Sequence, residues 1–214
     1  MKILHVITSL RTGGAEKLMV DLIPRLKEKG FEVDLLLLDG TETSFRKEAE
    51  EKCVTIYNLG IGGSVYSPIK LFKLIPFLRR YDIVHTHNTS PQLFAAIGNI
   101  GGKTLLCTTE HTTSNRRRKW KWLIPFERLM YNSYKHVICI SQKAEDNLRE
   151  HIGKSRATIS TINNGVDIER YSSASASLVL EAIAPNSKKI IMVSFSIALP
   201  AMLRRLLRRI FKRY

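Results

Sequence analysis

The sequence predicts an α/β protein of the Rossmann-like class, with a mainly parallel sheet and helices on both of its faces. Short apolar runs alternate along the chain with longer segments in which apolar residues recur at helical spacing. The short runs are apolar throughout, as strands covered on both faces of a parallel sheet require. This alternation indicates βαβ units, in which each helix crosses over between two parallel strands.

The predicted elements follow one another in a regular order. Strands are predicted over residues 2–8, 32–38, 53–59, 82–86, 103–109, 137–140 and 156–162, with one more over 188–194. Helices are predicted over residues 15–29, 44–52, 68–80, 91–100, about 120–134 and 141–151. Gly30 should end the first helix, which Pro24 should kink, and Ser141 should cap the last helix. The segment 163–165, Asn-Asn-Gly, has the composition of a turn.

The composition is that of a soluble globular protein and argues against disorder. Of 214 residues, 25% are charged and 44% are hydrophobic, which is enough for one large domain or for one domain and a fragment. The formal net charge is +15, but two runs, 116–121 and 204–214, carry five and six basic residues without an acid. The rest of the chain stands near +4. The basic runs predict an anionic partner, either a membrane surface or a phosphate-bearing ligand.

Three segments differ in character. Residues 1–171 form the predicted Rossmann-like domain, 172–187 a Ser/Ala-rich linker, and 188–214 a strand followed by a basic amphipathic helix. The three cysteines lie in or beside apolar runs without metal-ligand spacing, and are expected to be buried, reduced thiols of a cytoplasmic protein. Neither a secretory signal nor a run of ~20 apolar residues is evident, so no membrane-spanning helix is expected.

The first candidate binding element lies between the first strand and the first helix. Gly13 and Gly14, followed closely by Glu16, allow the backbone to approach a ligand at a helix N-terminus, where free N–H groups favour a phosphate or a sugar hydroxyl. The spacing is not the dinucleotide pattern G-x-G-x-x-G, so nicotinamide binding has little support. A tight strand-to-helix turn would explain the same glycines.

Polar residues also end the fourth and fifth strands. His85, His87 and Asn88 follow one strand, and Glu110 with His111 follow the next. Ligands of open α/β sheets bind beyond the carboxyl ends of the strands, and an imidazole beside a carboxylate can orient a hydroxyl or take a proton near neutral pH. His85 and His87 point the same way from a strand, but no third ligand is evident, so no metal is expected. Backbone hydrogen bonding would be the structural explanation of these residues.

Five segments in this order and spacing resemble the retaining glycosyltransferases of family 4. They are the first strand leading to Gly13-Gly14-Ala15-Glu16, the segment 82–87, the segment 109–111, the segment 137–141, and the segment 162–167 with Tyr171. The resemblance covers about residues 1–194. It implies the N-terminal half of a two-lobed GT-B fold, with the active site between the lobes, and transfer of a hexosyl group with retained anomeric configuration. The implied setting is the synthesis of a cell-surface polysaccharide or glycolipid.

The resemblance also implies roles for residues. Gly13 and Gly14 would approach the donor phosphates or the sugar, and His111 would act at the transferred sugar. His85, His87 and Asn88 would line the acceptor side, where Glu110 and Glu16 belong to the same motifs, and Asn164 would mark the passage to the second lobe. The donor is a nucleotide-sugar, the acceptor a glycan or a lipid-linked glycan, and neither a cofactor nor a metal is implied.

The C-terminal segment departs from the family pattern. After residue 194 the chain lacks the Arg and Lys that hold the donor diphosphate in the family, and it lacks the family's later pair of Glu residues. We therefore expect an apparently truncated chain with a partial donor site and little activity alone. The alternative is a non-enzymatic, membrane-associated binding module or remnant. An epimerase-like enzyme is disfavoured because its glycine fingerprint and Tyr-x-x-x-Lys pair are missing.

A basic-aromatic segment follows the candidate site. It consists of Arg116, Arg117, Arg118, Lys119, Trp120, Lys121 and Trp122. Indoles interleaved with cations are typical of contact with an anionic membrane surface, which would place the protein on the inner face of the membrane, close to a lipid-linked acceptor. A solvated loop with both indoles packed beneath it is the structural alternative. No nucleic-acid recognition pattern accompanies the segment, so nucleic acid is not an expected partner.

Overall fold

The computed structural model describes residues 1–112 and 120–165. Residues 1–165 form one compact unit. The predicted linker, the predicted strand over 188–194, the C-terminal helix, Tyr171 and residues 166–167 lie outside the described residues, as do Arg116, Arg117, Arg118 and Lys119 of the basic-aromatic segment.

Seven strands and six helices alternate along the described chain, as the sequence predicts. The strands are β1 (Lys2–Ile7), β2 (Glu32–Leu37), β3 (Ile56–Asn58), β4 (Ile83–His87), β5 (Leu105–Glu110), β6 (His136–Cys139) and β7 (Thr158–Thr161). The helices are α1 (Gly14–Glu28), α2 (Ser44–Glu51), α3 (Pro68–Leu78), α4 (Thr89–Gly98), α5 (Ile124–Asn132) and α6 (Gln142–Ile152). A short 3₁₀ turn, Lys121–Leu123, precedes α5.

The seven strands form one sheet in the order β3-β2-β1-β4-β5-β6-β7, and every pair is parallel. The chain builds the sheet outward from β1 to β3, returns to the middle, and builds in the other direction from β4 to β7. The strand order therefore reverses between β1 and β4. In open α/β sheets the crevice at the carboxyl ends of such a strand pair is the usual ligand site.

Helices cover both faces, which confirms the predicted architecture. On one face α3, α4, α5 and α6 pack on a core that includes Leu4, Val84 and Leu106, all at most 1% exposed. On the other face α1 and α2 cover β1 and β2, with Ile7 and Leu35 fully buried. Burial of one such side chain stabilises the fold by about 1.5–3 kcal/mol. The sheet and its two layers thus fix where the loops after β1, β4 and β5 emerge.

Several local predictions are confirmed and others need correction. The Ser141 side chain caps α6 by accepting from the Ala144 N–H at 3.2 Å, and Gly30 follows α1 with φ +84°. Helix α1 continues through Pro24 as one helix. The third strand is shorter than predicted, because Cys53 turns the chain with φ +57° and is exposed rather than buried. The segment 162–165 continues without a defined turn after β7.

Candidate functional site

The loops that follow β1 and β4 lie at the reversal of strand order and meet through side chains. Gly13 precedes α1 in an extended conformation, so its φ does not require glycine. A Cβ on Gly13 would lie 2.2 Å from the Glu16 Oε2, so a larger residue at this position would require the Glu16 side chain to shift. The other carboxylate oxygen of Glu16 accepts from Asn88 Nδ2 at 3.4 Å. Glu16 therefore joins the first turn of α1 to the end of β4.

The position of Glu16 affects which ligand, a phosphate or a sugar hydroxyl, could contact Gly13 and Gly14. A carboxylate already lies over the N-terminus of α1, where an anionic ligand would find free N–H groups. The charge of this carboxylate disfavours a phosphate at the helix end, whereas a sugar hydroxyl can donate a hydrogen bond to it. Beside Gly14 a Cβ would meet nothing within 4 Å, so the backbone is open there. The contact of Gly13 and Gly14 with a ligand stays a prediction.

Asn88 adopts a backbone conformation that non-glycine residues avoid. Its φ of 70° and ψ of 166° lie in a region occupied almost only by glycine, and holding another residue there costs on the order of 1–3 kcal/mol. Strain of this kind clusters at ligand sites, where the surrounding structure enforces it. The conformation places the half-buried Asn88 side chain between Glu16 and a cavity beyond β4 and β5.

We expect Asn88→Gly to stabilise the fold while it damages the site. Glycine adopts the same φ and ψ without the steric penalty, so the free energy of unfolding should rise by about 1 kcal/mol. The substitution also removes the amide that contacts Glu16. Urea unfolding of both proteins measures the effect, with Asn88→Ala as the control that deletes the amide but keeps the strain. A glycine variant less stable than the alanine variant would show that the backbone is not strained.

Four histidines line one face of the sheet at the same place. His5 and His85 are register partners on β1 and β4, and their ring centroids lie 4.9 Å apart. His87 lies one step further along β4, with its Nε2 3.0 Å from His5 Nδ1 and its Nδ1 3.0 Å from His111 Nε2. The His85 ring stacks on that of His87 at 4.5 Å, and its Nε2 contacts Thr109 Oγ1 at 2.8 Å. The predicted residues His85, His87 and His111 are therefore brought together.

Burial keeps these imidazoles neutral. Desolvation lowers the pKa of His5 to about 4 and that of His111 to about 4. Desolvation, followed by the proximity of the neighbouring imidazoles, lowers the pKa of His85 and His87 well below the usual value. At physiological pH the cluster therefore carries no charge, and its rings can accept as well as donate hydrogen bonds.

A third imidazole beside His85 and His87 corrects one step of the sequence reasoning. Ligand nitrogens of His5, His85 and His87 lie within 4.8 Å of one another, so a third candidate ligand does exist. However, His5 Nδ1 and His87 Nε2 are in contact with each other, and His85 Nε2 with Thr109. These nitrogens are therefore engaged in hydrogen bonds, and the geometry favours a hydrogen-bonded row of rings.

On the opposite face of the sheet, Glu110 belongs to a second buried network. Its Oε1 accepts from Tyr131 Oη at 2.6 Å and from Gln92 Nε2 at 3.0 Å, and it is 7% exposed. Gln92 Nε2 also donates to Thr108 Oγ1 at 3.2 Å, and Gln92 O accepts from Tyr134 Oη at 2.7 Å. Gln92 and Tyr131 thus hold the Glu110 carboxylate at the end of β5, and Tyr134 anchors the backbone of Gln92.

The two networks meet in a small cavity at the carboxyl edge of β4 and β5. Its volume is about 170 Å³, well below the range of about 300–1,000 Å³ typical of pockets for drug-sized ligands. A volume of this size can hold part of a sugar ring with its hydroxyls. A larger cavity of about 300 Å³ lies at the opposite edge, around Lys103 and Gly101. The residues lining the small cavity are Asn88, Thr89, Gln92, Thr109, Glu110, His111 and Thr112.

The remaining predicted residues lie elsewhere. His85 and His87 lie on β4 and do not line the cavity. Asn164 is exposed beyond β7, two strands away from β5 in the sheet order. Trp120 and Trp122 are 58% and 67% exposed, so they do not pack beneath a loop.

Sequence reasoning missed three residues that complete the site. His5 is the one strongly polar residue inside the apolar first strand, and that interruption was a signal for it. Gln92 lies on α4 and Tyr131 on α5, and their contacts with Glu110 depend on how the helices pack. No local pattern in the sequence indicates such packing.

The chain was compared with known families and proteins. The model of a family described as Glycosyltransferase Family 4 matches residues 12–170. GDP-mannose:cellobiosyl-diphosphopolyprenol alpha-mannosyltransferase of Xanthomonas campestris is 26% identical over 189 residues, which are 82% of this chain and 49% of that protein. UDP-Gal:alpha-D-GlcNAc-diphosphoundecaprenol alpha-1,3-galactosyltransferase of Escherichia coli is 24% identical over 186 residues, 81% of this chain and 47% of that protein.

The fold also matches solved structures. The crystal structure of Anabaena Alr3699/HepE in complex with UDP and glucose superposes with a TM-score of 0.69 at 19% identity, over 86% of this chain and 50% of that chain. At this identity the match shows the fold. The chain spans about half the length of the curated relatives that it matches.

Proposed function

The chain belongs to Glycosyltransferase Family 4, and from that premise we propose that it is the N-terminal, acceptor-side domain of a hexosyltransferase that extends a lipid-linked glycan. The donor in this proposal is a nucleotide-sugar, and transfer retains the anomeric configuration. The two curated relatives described above are hexosyltransferases whose names specify a nucleotide-sugar donor and a diphosphopolyprenol-linked acceptor. The proposal needs neither a metal nor a cofactor from this chain.

One observation carries the proposal. Asn88, Gln92, Glu110 and His111 line one cavity at the carboxyl edge of the sheet, beside the reversal of strand order between β1 and β4. The cavity offers a carboxylate, two amides and an imidazole within a small volume, a set suited to several hydroxyls of one sugar. In this proposal His111 contacts the transferred sugar, and Glu110 and Asn88 hold hydroxyl groups. In the same proposal, Glu16 and the backbone of Gly13 and Gly14 form the neighbouring part of the binding site.

The test uses the protein in the cell that encodes it. After deletion of the gene, lipids are extracted and the lipid-linked glycans are analysed by mass spectrometry. Because the chain alone is expected to have little activity, the proposal requires that the donor-side half is supplied in the cell. We then expect a glycan one hexose shorter to accumulate, and the wild-type gene to restore the full glycan. Restoration by an Asn88→Ala gene should be weak, although the protein is present at normal abundance. An unchanged lipid-linked glycan profile after deletion would contradict the proposal and favour a non-enzymatic binding module.

We also propose that the domain touches the inner face of the membrane through its basic-aromatic segment and α5. Trp122, Phe126 and Leu129 are 67%, 68% and 69% exposed and recur at helical spacing. The Trp120 and Trp122 rings stack with centroids 6.2 Å apart. The opposite side of α5 is buried through Met130 and Tyr131. An exposed apolar stripe next to a basic run is the composition of an interfacial helix.

This contact does not require a membrane span. Within residues 1–112 and 120–165, none of the helices is both long and apolar enough to cross a membrane. Binding is instead expected to depend on the exposed apolar side chains and on Lys and Arg near anionic headgroups, each worth about 1 kcal/mol. A surface contact at this place brings α5, and with it Tyr131 and Glu110, close to an acceptor held in the membrane.

Replacement of Trp122, Phe126 and Leu129 by Gln should abolish binding of the chain to vesicles that contain anionic lipid. Because the three side chains are exposed, the fold should not suffer. Cosedimentation with vesicles measures the effect. The matched control is Gln at Ile69 and Phe72, which are 64% and 68% exposed on α3. Equal loss in the control, or no loss in the triple variant, would refute this contact.

A further inference from the structure

Three imidazoles are joined head to tail from the interior of the sheet to the cavity. His111 Nε2 meets His87 Nδ1, and His87 Nε2 meets His5 Nδ1, each at 3.0 Å. His5 and His87 are 2% and 1% exposed, whereas His111 lines the cavity and is partly open to solvent. At both contacts an Nε2 of one ring faces an Nδ1 of the next ring inward. The row therefore has a direction, from the cavity to β1.

The protons of this row are coupled. A neutral imidazole carries one N–H and one bare nitrogen, and His87 uses both of its nitrogens in the row. If His87 donates a hydrogen bond through Nε2, it must accept one through Nδ1, and if it donates through Nδ1, it must accept through Nε2. Only two arrangements therefore satisfy both hydrogen bonds, one with every N–H pointing inward and one with every N–H pointing outward. The burial that lowers the pKa of His5 and His111 to about 4 excludes an additional proton at neutral pH.

The two arrangements are not equivalent. With every bond donated inward, all three rings are in the Nε2–H form, which is the intrinsically preferred tautomer of neutral histidine. With every bond donated outward, all three rings are in the less stable Nδ1–H form. The proton on His5, at the interior end of the row, cannot exchange easily, because His5 is almost inaccessible to water. Each of the three rings adds its own intrinsic preference in this direction, and together these preferences outweigh the cost of the buried His5 Nε2–H, for which residues 1–112 and 120–165 show no acceptor.

We propose that His5 and His87 are positioning residues that hold His111 in its Nε2–H form and present a bare Nδ1 to the ligand. Within the part of the chain that the structure describes, the only hydrogen bond of His111 is the one to His87, so its Nδ1 remains for a ligand. A bare nitrogen accepts a hydrogen bond and cannot donate one. This position therefore selects a donor, such as a sugar hydroxyl, and disfavours a phosphate or carboxylate oxygen. The link to sugar rests on the proposed function.

His85 supports the row from the side. Its ring stacks on His87 at a centroid distance of 4.5 Å and an interplanar angle of 29°, and Thr109 holds its Nε2. The stacked ring leaves His87 little freedom to turn away from His5 and His111. A ligand acceptor at His111 would need the row to reverse, which requires a proton to leave or enter at buried His5. A lone surface histidine would change tautomer at much lower cost.

The test is long-range ¹H–¹⁵N spectroscopy of the histidine rings in the unliganded chain at pH 7. The ¹⁵N shifts distinguish Nε2–H, Nδ1–H and doubly protonated rings directly. We expect His5, His87 and His111 in the Nε2–H form, with roughly tenfold or more excess over the other tautomer for His111. His136, which contacts Ser160 on β7, serves as an internal reference outside the row. An Nδ1–H ring, an even mixture or a charged ring at His111 would overturn the proposal, as would a stoichiometric metal in the purified protein.

Two variants of His87 distinguish its effect on the tautomer of His111 from its effect on packing. His87→Leu removes both contacts, and His111 should then become a mixture of tautomers. His87→Asn keeps an amide oxygen near the former Nδ1, so it should restore the Nε2–H excess at His111. An unchanged His111 in the leucine variant would also overturn the proposal. Since no sugar is present in these spectra, failure here would leave the proposed function standing. Conversely, an Nε2–H tautomer at His111 without any binding of sugar would support the positioning role of His5 and His87 but contradict the proposed function.

Discussion

The protein should lose a large part of its stability between pH 6.5 and pH 4. His5, which is 2% exposed, has a pKa near 4 in the folded protein and near 6.5 when unfolded. Between these values the unfolded chain binds more protons, so the free energy of unfolding falls as the pH falls. The loss is about 3 kcal/mol for His5. His111, partly open to the cavity, adds a smaller share, and His85 and His87 act in the same direction.

A loss of this size is large against the 5–15 kcal/mol or so that stabilises a typical domain. Carboxylates also contribute at low pH, because hydrogen bonds from Lys17 and Lys52 lower the pKa of Glu48 to about 2. Their contribution is lost only as the pH falls below the unfolded-state value of about 4.3. The window from pH 6.5 to 4.5 therefore isolates the histidines.

Urea unfolding at half-unit steps of pH across this window measures the effect. We expect a slope above about 1.4 kcal/mol per pH unit, which corresponds to more than one proton taken up on unfolding. His111→Gln removes one of the titrating rings and should reduce the slope. A stability that stays level from pH 6.5 to 4.5 would show that the imidazoles are not held neutral by burial.

His111→Ala should reduce hexosyl transfer by about 10²-fold or more, the cost of removing one preorganised polar group from a reaction centre. His111 is the cavity residue that is fixed by a second ring behind it, through the 3.0 Å contact with His87. Its removal deletes the proposed contact to the sugar and leaves His87 Nδ1 without its partner. The rate is measured as transfer of labelled hexose to lipid-linked acceptor, in membranes from cells that carry the variant gene.

The control for this prediction is His136→Ala. His136 occupies the same face of the sheet on β6, but it contacts Ser160 and lies outside the cavity. Transfer by this variant should stay within about twofold of wild type, because His136 neither lines the cavity nor forms a hydrogen bond with His5, His87 or His111. Equal losses of hexosyl transfer in both variants would mean that these histidines stabilise the fold, and would contradict a role of His111 in the reaction.

The sequence was sufficient for the architecture of the described part of the chain. The alternation of apolar runs with helical patterns predicts all seven strands and six helices, because burial on both faces of a parallel sheet imposes that pattern. The polar residues ending the fourth and fifth strands were expected to share one edge of the sheet. His85, His87 and His111 do lie together, since the carboxyl ends of neighbouring parallel strands share one edge.

What the sequence could not indicate depends on non-local geometry. His5 becomes part of the cluster only because β1 and β4 are register partners, a pairing across about 80 residues of chain. Glu16 covers the Gly13 turn through its rotamer, and no local pattern specifies that. The exposed position of Cys53 follows from a left-handed turn that cuts the third strand short. Each of these features arises from packing or from a single dihedral angle.

The central claim is that sugar binds at the carboxyl edge of β4 and β5. Titration of the isotope-labelled chain with a nucleotide-sugar, and separately with a short-chain lipid-linked saccharide, tests it most directly. We expect saturable shifts of the signals of Asn88, Gln92 and His111, with those around Lys103 and Gly101 unchanged. Shifts confined to the larger cavity at the opposite edge, or none with either ligand, would contradict it.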